Sequence, residues 1–149
     1  MTKTIAILGA GNTLGSAIAH ELAGSENFLL LMDKQLERVE SLRQILLARY
    51  PLATIEVATC AYESAWEADR IILALNEQNL IELAQTIREV VTGKRVICVV
   101  PDKPALVGAG QEPTVNCGVE ELKAALPYTE VIMASLVDFR QNGKAVVDC

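Results

Sequence analysis

The sequence predicts an α/β fold: a doubly wound, mainly parallel, Rossmann-like sheet of about six strands with helices on both faces. Apolar runs of strand length alternate with segments of helical period along the chain, and parallel strands need a crossover that is usually a helix. Several runs are apolar on both faces, as strands covered from two sides must be. The first run passes straight into a glycine-rich turn that opens a helix.

Taken in order, Thr4 to Leu8 (TIAIL) is the first strand and Thr13 to Ala23 the first helix, with Leu14, Ile18 and Leu22 at four-residue spacing. Phe28 to Met32 (FLLLM) is the second strand. Leu36 to Arg49 puts Leu36, Val39, Leu42 and Leu46 on one side of a helix that Pro51 closes, and the charges of Glu37, Arg38, Glu40 and Arg43 read as its solvated face. Ile55 to Ala58 and Ile71 to Leu75 (IILAL) follow as strands, with Tyr62 and Trp66 expected to pack under the loop between them. Asn79 to Val91 repeats the helical period through Leu80, Leu83, Ile87 and Val91, and Gly93 ends it. Val96 to Val100 (VICVV), a short helix from Val119 to Leu126, and Val131 to Ala134 complete the series. Pro101 to Cys117, with three of the five prolines, is the one long irregular stretch.

A chain of 149 residues, 51% of them hydrophobic and 21% charged, is expected to form a single domain over residues 1–149. Its 13 basic and 19 acidic side chains give a formal charge of −6, which argues against nucleic acid as a partner. No stretch approaches the roughly 20 apolar residues of a membrane helix. The opening MTKTIAILGAG is too brief for a signal-peptide core. Cys60, Cys98, Cys117 and Cys149 are widely spaced with no C-x-x-C pair, so reduced thiols, a cytoplasmic location and no metal site are expected.

The chemistry concentrates in the turn Gly9-Ala10-Gly11-Asn12-Thr13-Leu14-Gly15. Glycines let a backbone approach a pyrophosphate, and the free N–H groups of a helix start face its charge. Gly9 would make the tight turn and Gly11 would leave room for the ligand. Two registers stand open. In G-x-G-x-x-G the third glycine is missing, because position 14 is Leu14; in G-x-x-G-x-x-G, Gly9 and Gly15 fit and Asn12 takes the middle place, where it tolerates a left-handed backbone. Asp33 ends the second strand about 20 residues further on, where a carboxylate can accept hydrogen bonds from an adenosine ribose and repel a 2′-phosphate. NAD is therefore favoured, with NADP kept open by Lys34 and Arg38. The alternative is a glycine turn that merely packs helix on strand, with Asp33 as a helix cap.

Where the strand order reverses, the loop Leu75-Asn76 lies nearest the nicotinamide half, with Pro101 and Asp102 beside it. Asn76 is the candidate polar contact, or else Asn76 or Asn79 caps the helix that follows. His20, off the apolar stripe, reads as solvated, and Cys98 as core; no catalytic residue can be named.

The order ILGAGNTLGSAIAHELA, LLLMD and WEADRIILALNEQNLIELAQTIREVVTGKRVICVVPD resembles the N-terminal domain of deazaflavin-dependent NADP reductases and related NAD(P)-binding oxidoreductases, where a segment like GVEELKAALPYTEVIMA also follows. That resemblance implies a bound dinucleotide and hydride transfer with a small-molecule substrate; by the residue reading Gly9, Gly11, Asn12, Thr13 and Leu14 would hold the pyrophosphate and Asp33 the ribose, with Lys34, Leu75 and Asn76 close by. The chain departs from it in the glycine register, in Asp33 where those enzymes carry small polar residues, and in having no substrate or dimerisation domain after these elements. A second copy of the chain is accordingly a candidate partner. The other glycine register is similar to short-chain dehydrogenases, but their Y-x-x-x-K is missing: Thr54, Trp66 and Ile132 stand four residues after Tyr50, Tyr62 and Tyr128. The loop and LLLMDKQLERVESL also resemble nucleotide-binding domains of potassium transport, which implies the alternative of a non-catalytic NAD(H) sensor.

Overall fold

The computed structural model describes residues 3–24, 27–74, 77–100, 122–136 and 138–141. Leu75, Asn76 and the stretch Pro101 to Cys117 lie outside the described residues. The described elements are β1 (Thr4–Leu8), α1 (Thr13–Ala23), β2 (Phe28–Met32), α2 (Leu36–Arg49), β3 (Thr54–Ala58), α3 (Ala61–Glu67), β4 (Arg70–Leu73), α4 (Glu77–Ile87), β5 (Arg95–Val100) and β6 (Glu130–Ser135).

The strands form one six-stranded sheet in the order β3-β2-β1-β4-β5-β6, with every neighbouring pair parallel. This is the expected doubly wound arrangement. Because side chains alternate along a strand, each apolar run feeds two cores at once. Ile5, Ile7, Leu29, Leu31, Ile72 and Ile97 pack on one face with Ile18 and Leu22 of α1 and Val39, Leu42 and Leu46 of α2. Ala6, Leu8, Leu30, Ile71, Leu73, Val96 and Cys98 pack on the other, with Ala65 of α3, Ala84 and Ile87 of α4, and Leu122 and Leu126 of a helical segment near 122–125. Burying each large aliphatic side chain contributes about 1.5 to 3 kcal/mol, so the run TIAIL anchors both layers.

Four expectations need correction. The β3–β4 connection is a helix, α3, rather than a loop over packed aromatics: Trp66 is 65% exposed and Tyr62 41%. The side chains that α3 turns inward are small, with Ser64, Ala65 and Ala68 buried, which lets it lie close to the sheet and leaves positions 62 and 66 on its outer side. Leu36, the first residue of α2, is exposed rather than on the buried side with Val39, Leu42 and Leu46. Asn79 falls within α4, which begins at Glu77, rather than ahead of a helix starting near Leu80. α4 also ends at Ile87 rather than Val91, and the chain then turns through Gly93, whose φ of 82° is in the left-handed region. Elsewhere the strand limits differ from expectation by a residue or two, and β6 starts at Glu130, whose carboxylate pairs with Arg95 at 3.0 Å across the register.

Candidate functional site

In such a sheet the crevice opens beyond the carboxyl ends of the strands where the order reverses, here between β1 and β4. The turn from β1 to α1 crosses that point. Gly9 adopts φ 92°, and the amides of Gly9 and Ala10 both donate to the Met32 carbonyl, at 2.8 and 3.1 Å, which ties the turn to the end of β2.

Asn12 is the N-cap of α1. Its φ of −88° is extended, so the left-handed backbone expected for it is not used. Its value lies in the side chain: Oδ1 accepts the Gly15 amide at 2.7 Å, while Nδ2 donates to the carbonyl of Ala74, just past β4. One amide group thus fastens the helix start to the strand across the crevice. Its own N–H donates to Gly9 O at 3.3 Å, and its carbonyl accepts from Ser16 at 2.9 Å. Of the first-turn amides, those of Thr13 and Leu14 make no hydrogen bond among the described residues, which leaves two donors at the positive end of the helix.

A Cβ on Gly15 would sit 2.1 Å from the Gly9 carbonyl oxygen, so Gly15 is where helix and strand touch, the place that the last glycine of G-x-x-G-x-x-G would take. A Cβ on Gly11 has a different neighbour: Asp33 Cγ and Oδ2, each at 2.9 Å. The space at Gly11 is adjoined by the acid, a relationship that the spacing of the motif did not disclose.

Asp33 stands at the end of β2, half-buried. Its Oδ2 accepts the Gly11 amide at 3.0 Å and its Oδ1 the Gln35 amide at 2.9 Å. It lines a cavity of about 520 Å³ whose floor is Gly9, Asn12 and Met32. Lys34, Gln35 and Arg38 form one rim. The opposite wall, Ala61 at the start of α3 with Glu82, Leu83 and Thr86 of α4, was not anticipated; nothing in the glycine motif marks a wall supplied by elements much later in the chain. Lys34 and Arg38 face the same cavity as Asp33 and Glu82, so cationic and acidic groups share its edge.

Thus Gly9, Asn12, Asp33 and Lys34 line the cavity and the Gly11 amide reaches its acid. Thr13 and Leu14 open α1 beside it, the Leu14 side chain packing on the core, while Leu75 and Asn76 lie outside the described residues. His20 lies elsewhere, partly exposed beside Glu37, Arg38 and Ile45 in an open groove between α1 and α2. Arg43 belongs less to the solvated face than expected, since Nε donates to the Ile55 carbonyl at 2.9 Å. Cys98 is buried as expected, and Cys60 is exposed just ahead of α3.

The family described as NADP oxidoreductase, coenzyme F420-dependent, matches residues 4–101, from β1 to just past β5. The chain belongs to this family. As an F420-dependent NADP oxidoreductase family member it is an NAD(P)-binding, oxidoreductase-type Rossmann domain, and the alternative of a sensor module is not favoured. No curated protein matches the chain. Among solved structures, the lactate dehydrogenase of Eimeria maxima with NADH and oxamate superposes with a TM-score of 0.68 at 14% identity, over 90% of this chain and 44% of that one. A 6-phospho-α-glucosidase from gut microorganisms, in complex with NAD and Mn2+, gives 0.64 at 14% identity over 89% and 38%. A metagenomic short-chain oxidoreductase in complex with NADP gives 0.63 at 9% identity over 99% and 91%. At these identities the likeness is one of fold, and the family member spans less than half the length of the first two proteins.

Proposed function

We propose that the chain, acting as a single domain over residues 1–149, binds a nicotinamide dinucleotide beyond the ends of β1 and β2, NAD in preference to NADP, and exchanges hydride with a small-molecule substrate. The observation that carries this reading is that the Thr13 and Leu14 amides, unengaged among the described residues, open α1 right after a glycine turn whose Gly9 and Asn12 line one cavity with the Asp33 carboxylate. The residues fit such a coenzyme. Gly9 holds a conformation that side chains rarely adopt, the helix start offers donors for a pyrophosphate, and Asp33 offers lone pairs for ribose hydroxyls. Lys34 and Arg38 at the same rim support NADP as the second choice. Leu75 and Asn76 are proposed to border the nicotinamide end.

The coenzyme supplies the hydride; the protein holds and orients it. We place the chain in the cytoplasm, in keeping with the reduced state expected of its widely spaced cysteines; no helix among the described residues is long and apolar enough to cross a membrane. Calorimetric titration of the whole chain with NADH and NADPH tests the binding, and turnover with flavin, quinone and carbonyl acceptors tests the chemistry. Saturable binding, tighter for NADH, is expected. Absence of any saturable binding overturns the proposal, and tight binding without turnover would restore the sensor.

A further inference from the structure

We propose that Gly11 is a specificity-determining position that acts through Asp33: the missing side chain at 11 seats the acid against the glycine turn, and the acid so seated selects the coenzyme by its ribose. This rests on the dinucleotide reading above and gives Gly11 a task other than leaving room for the pyrophosphate.

Three features of the geometry carry it. The three atoms nearest a Cβ at position 11 all belong to Asp33, at 2.9, 2.9 and 3.2 Å. The Gly11 amide donates to Asp33 Oδ2 at 3.0 Å, while Gln35 holds Oδ1 at 2.9 Å, so the carboxylate is gripped from two sides and presented to the cavity that it lines. Among the described residues, positive φ occurs at Gly9 and Gly93 only, so position 11 needs a glycine for space and not for backbone freedom. The three nearest atoms to a Cβ there belong to the Asp33 side chain rather than to backbone, so Gly11→Ala is expected to fold with the acid turned out of its seat.

The two roles predict different losses. NADH and NADPH share the pyrophosphate and differ at the ribose 2′ position, so a glycine that made room for the pyrophosphate would matter equally to both. A glycine that seats Asp33 matters chiefly to NADH. Affinities for both coenzymes are measured on the full chain for wild type, Gly11→Ala, Asp33→Ser and the double variant, with thermal melts to check folding. The expected result is about tenfold weaker NADH binding in Gly11→Ala, equivalent to one step of 1.4 kcal/mol, with NADPH changed less than about twofold. In the Asp33→Ser background, adding Gly11→Ala changes neither affinity by more than about twofold. Equal losses for both coenzymes, or losses that add in the double variant, overturn the proposal.

If Gly11→Ala does not fold, the ligand-free protein still decides. The Gly11 amide proton should move upfield in Asp33→Ser relative to wild type, and an unmoved resonance overturns the seating of the acid. Wild type that binds neither coenzyme would remove the dinucleotide reading itself, and the amide shift would then separate that failure from this one.

Discussion

Gly15 and Gly9 meet backbone to backbone: a Cβ on Gly15 would lie 2.1 Å from the Gly9 carbonyl oxygen and 2.8 Å from its carbon. Here backbone meets backbone, and neither can yield without moving α1 away from β1. Gly15→Ala should therefore destabilise the fold by about 3 kcal/mol or more, beyond the usual cost of an overpacked core. Differential scanning calorimetry should record a fall in Tm of roughly 6 to 12 °C. A variant that melts with wild type would show that the helix does not lie this close to the strand.

Asn12 is predicted to behave unlike an ordinary helix cap. Replacing it with Ala removes both the bond to the Gly15 amide and the bond to the Ala74 carbonyl, a loss of about 2 kcal/mol in chemical denaturation. Asp is as good an N-cap as Asn, yet it cannot donate to Ala74 and would set its carboxylate against that carbonyl. Asn12→Asp should thus be at least as damaging as Asn12→Ala. Wild-type stability in Asn12→Asp would reduce the residue to a simple cap.

Coenzyme preference should follow the charges around the cavity. Asp33→Ser is expected to narrow any preference for NADH over NADPH, since it removes the group that repels a 2′-phosphate and accepts from the ribose. Adding Arg38→Ala in that background should lower NADPH affinity again and flatten its salt dependence, because Arg38 lines the same cavity. If the ratio of the two affinities stays constant through the series, the ribose is held elsewhere.

Lys94 acts at the opposite end of the sheet. Its ammonium donates to the carbonyls of Ala65 and Trp66 at 2.9 and 2.7 Å, closing the C-terminal end of α3. Lys94→Met keeps the stem and removes both bonds, so a loss of about 1 kcal/mol is expected at pH 7. Burial pushes the Lys94 pKa below its ordinary 10.5, and the nearby Asp69 carboxylate pulls the other way. The unfolded chain then holds this proton more tightly, so the cost of the buried charge is complete below the folded-state pKa and disappears as pH rises towards 10.5. The stability advantage of wild type over Lys94→Met should widen across that alkaline interval. A constant or shrinking difference in denaturation midpoints would contradict the sign.

Much of this fold was legible in one dimension. Apolar runs such as TIAIL and FLLLM must be covered on both faces, and the helices between them impose parallel crossovers; those constraints act between near neighbours in sequence and so leave a periodic trace. The glycine turn and Asp33 were visible for the same reason, since a β1–α1–β2 unit brings them together within one local crossover. α3 was not legible. Its seven residues are too few for a clear period, and its inward positions are Ser64 and Ala65 rather than large aliphatics.

What only the tertiary structure decided is which atoms meet. Whether position 14 or Gly15 is the point of closest packing depends on how near α1 lies to β1, and letters spaced along a chain carry no distances. The bridge from Asn12 to Ala74 spans 62 positions, and the cavity wall from α4 comes from beyond the strand reversal. Hydrophobic periodicity is a property of segments and survives in the sequence; hydrogen bonds and close approaches between segments exist only once the sheet has set their order and register.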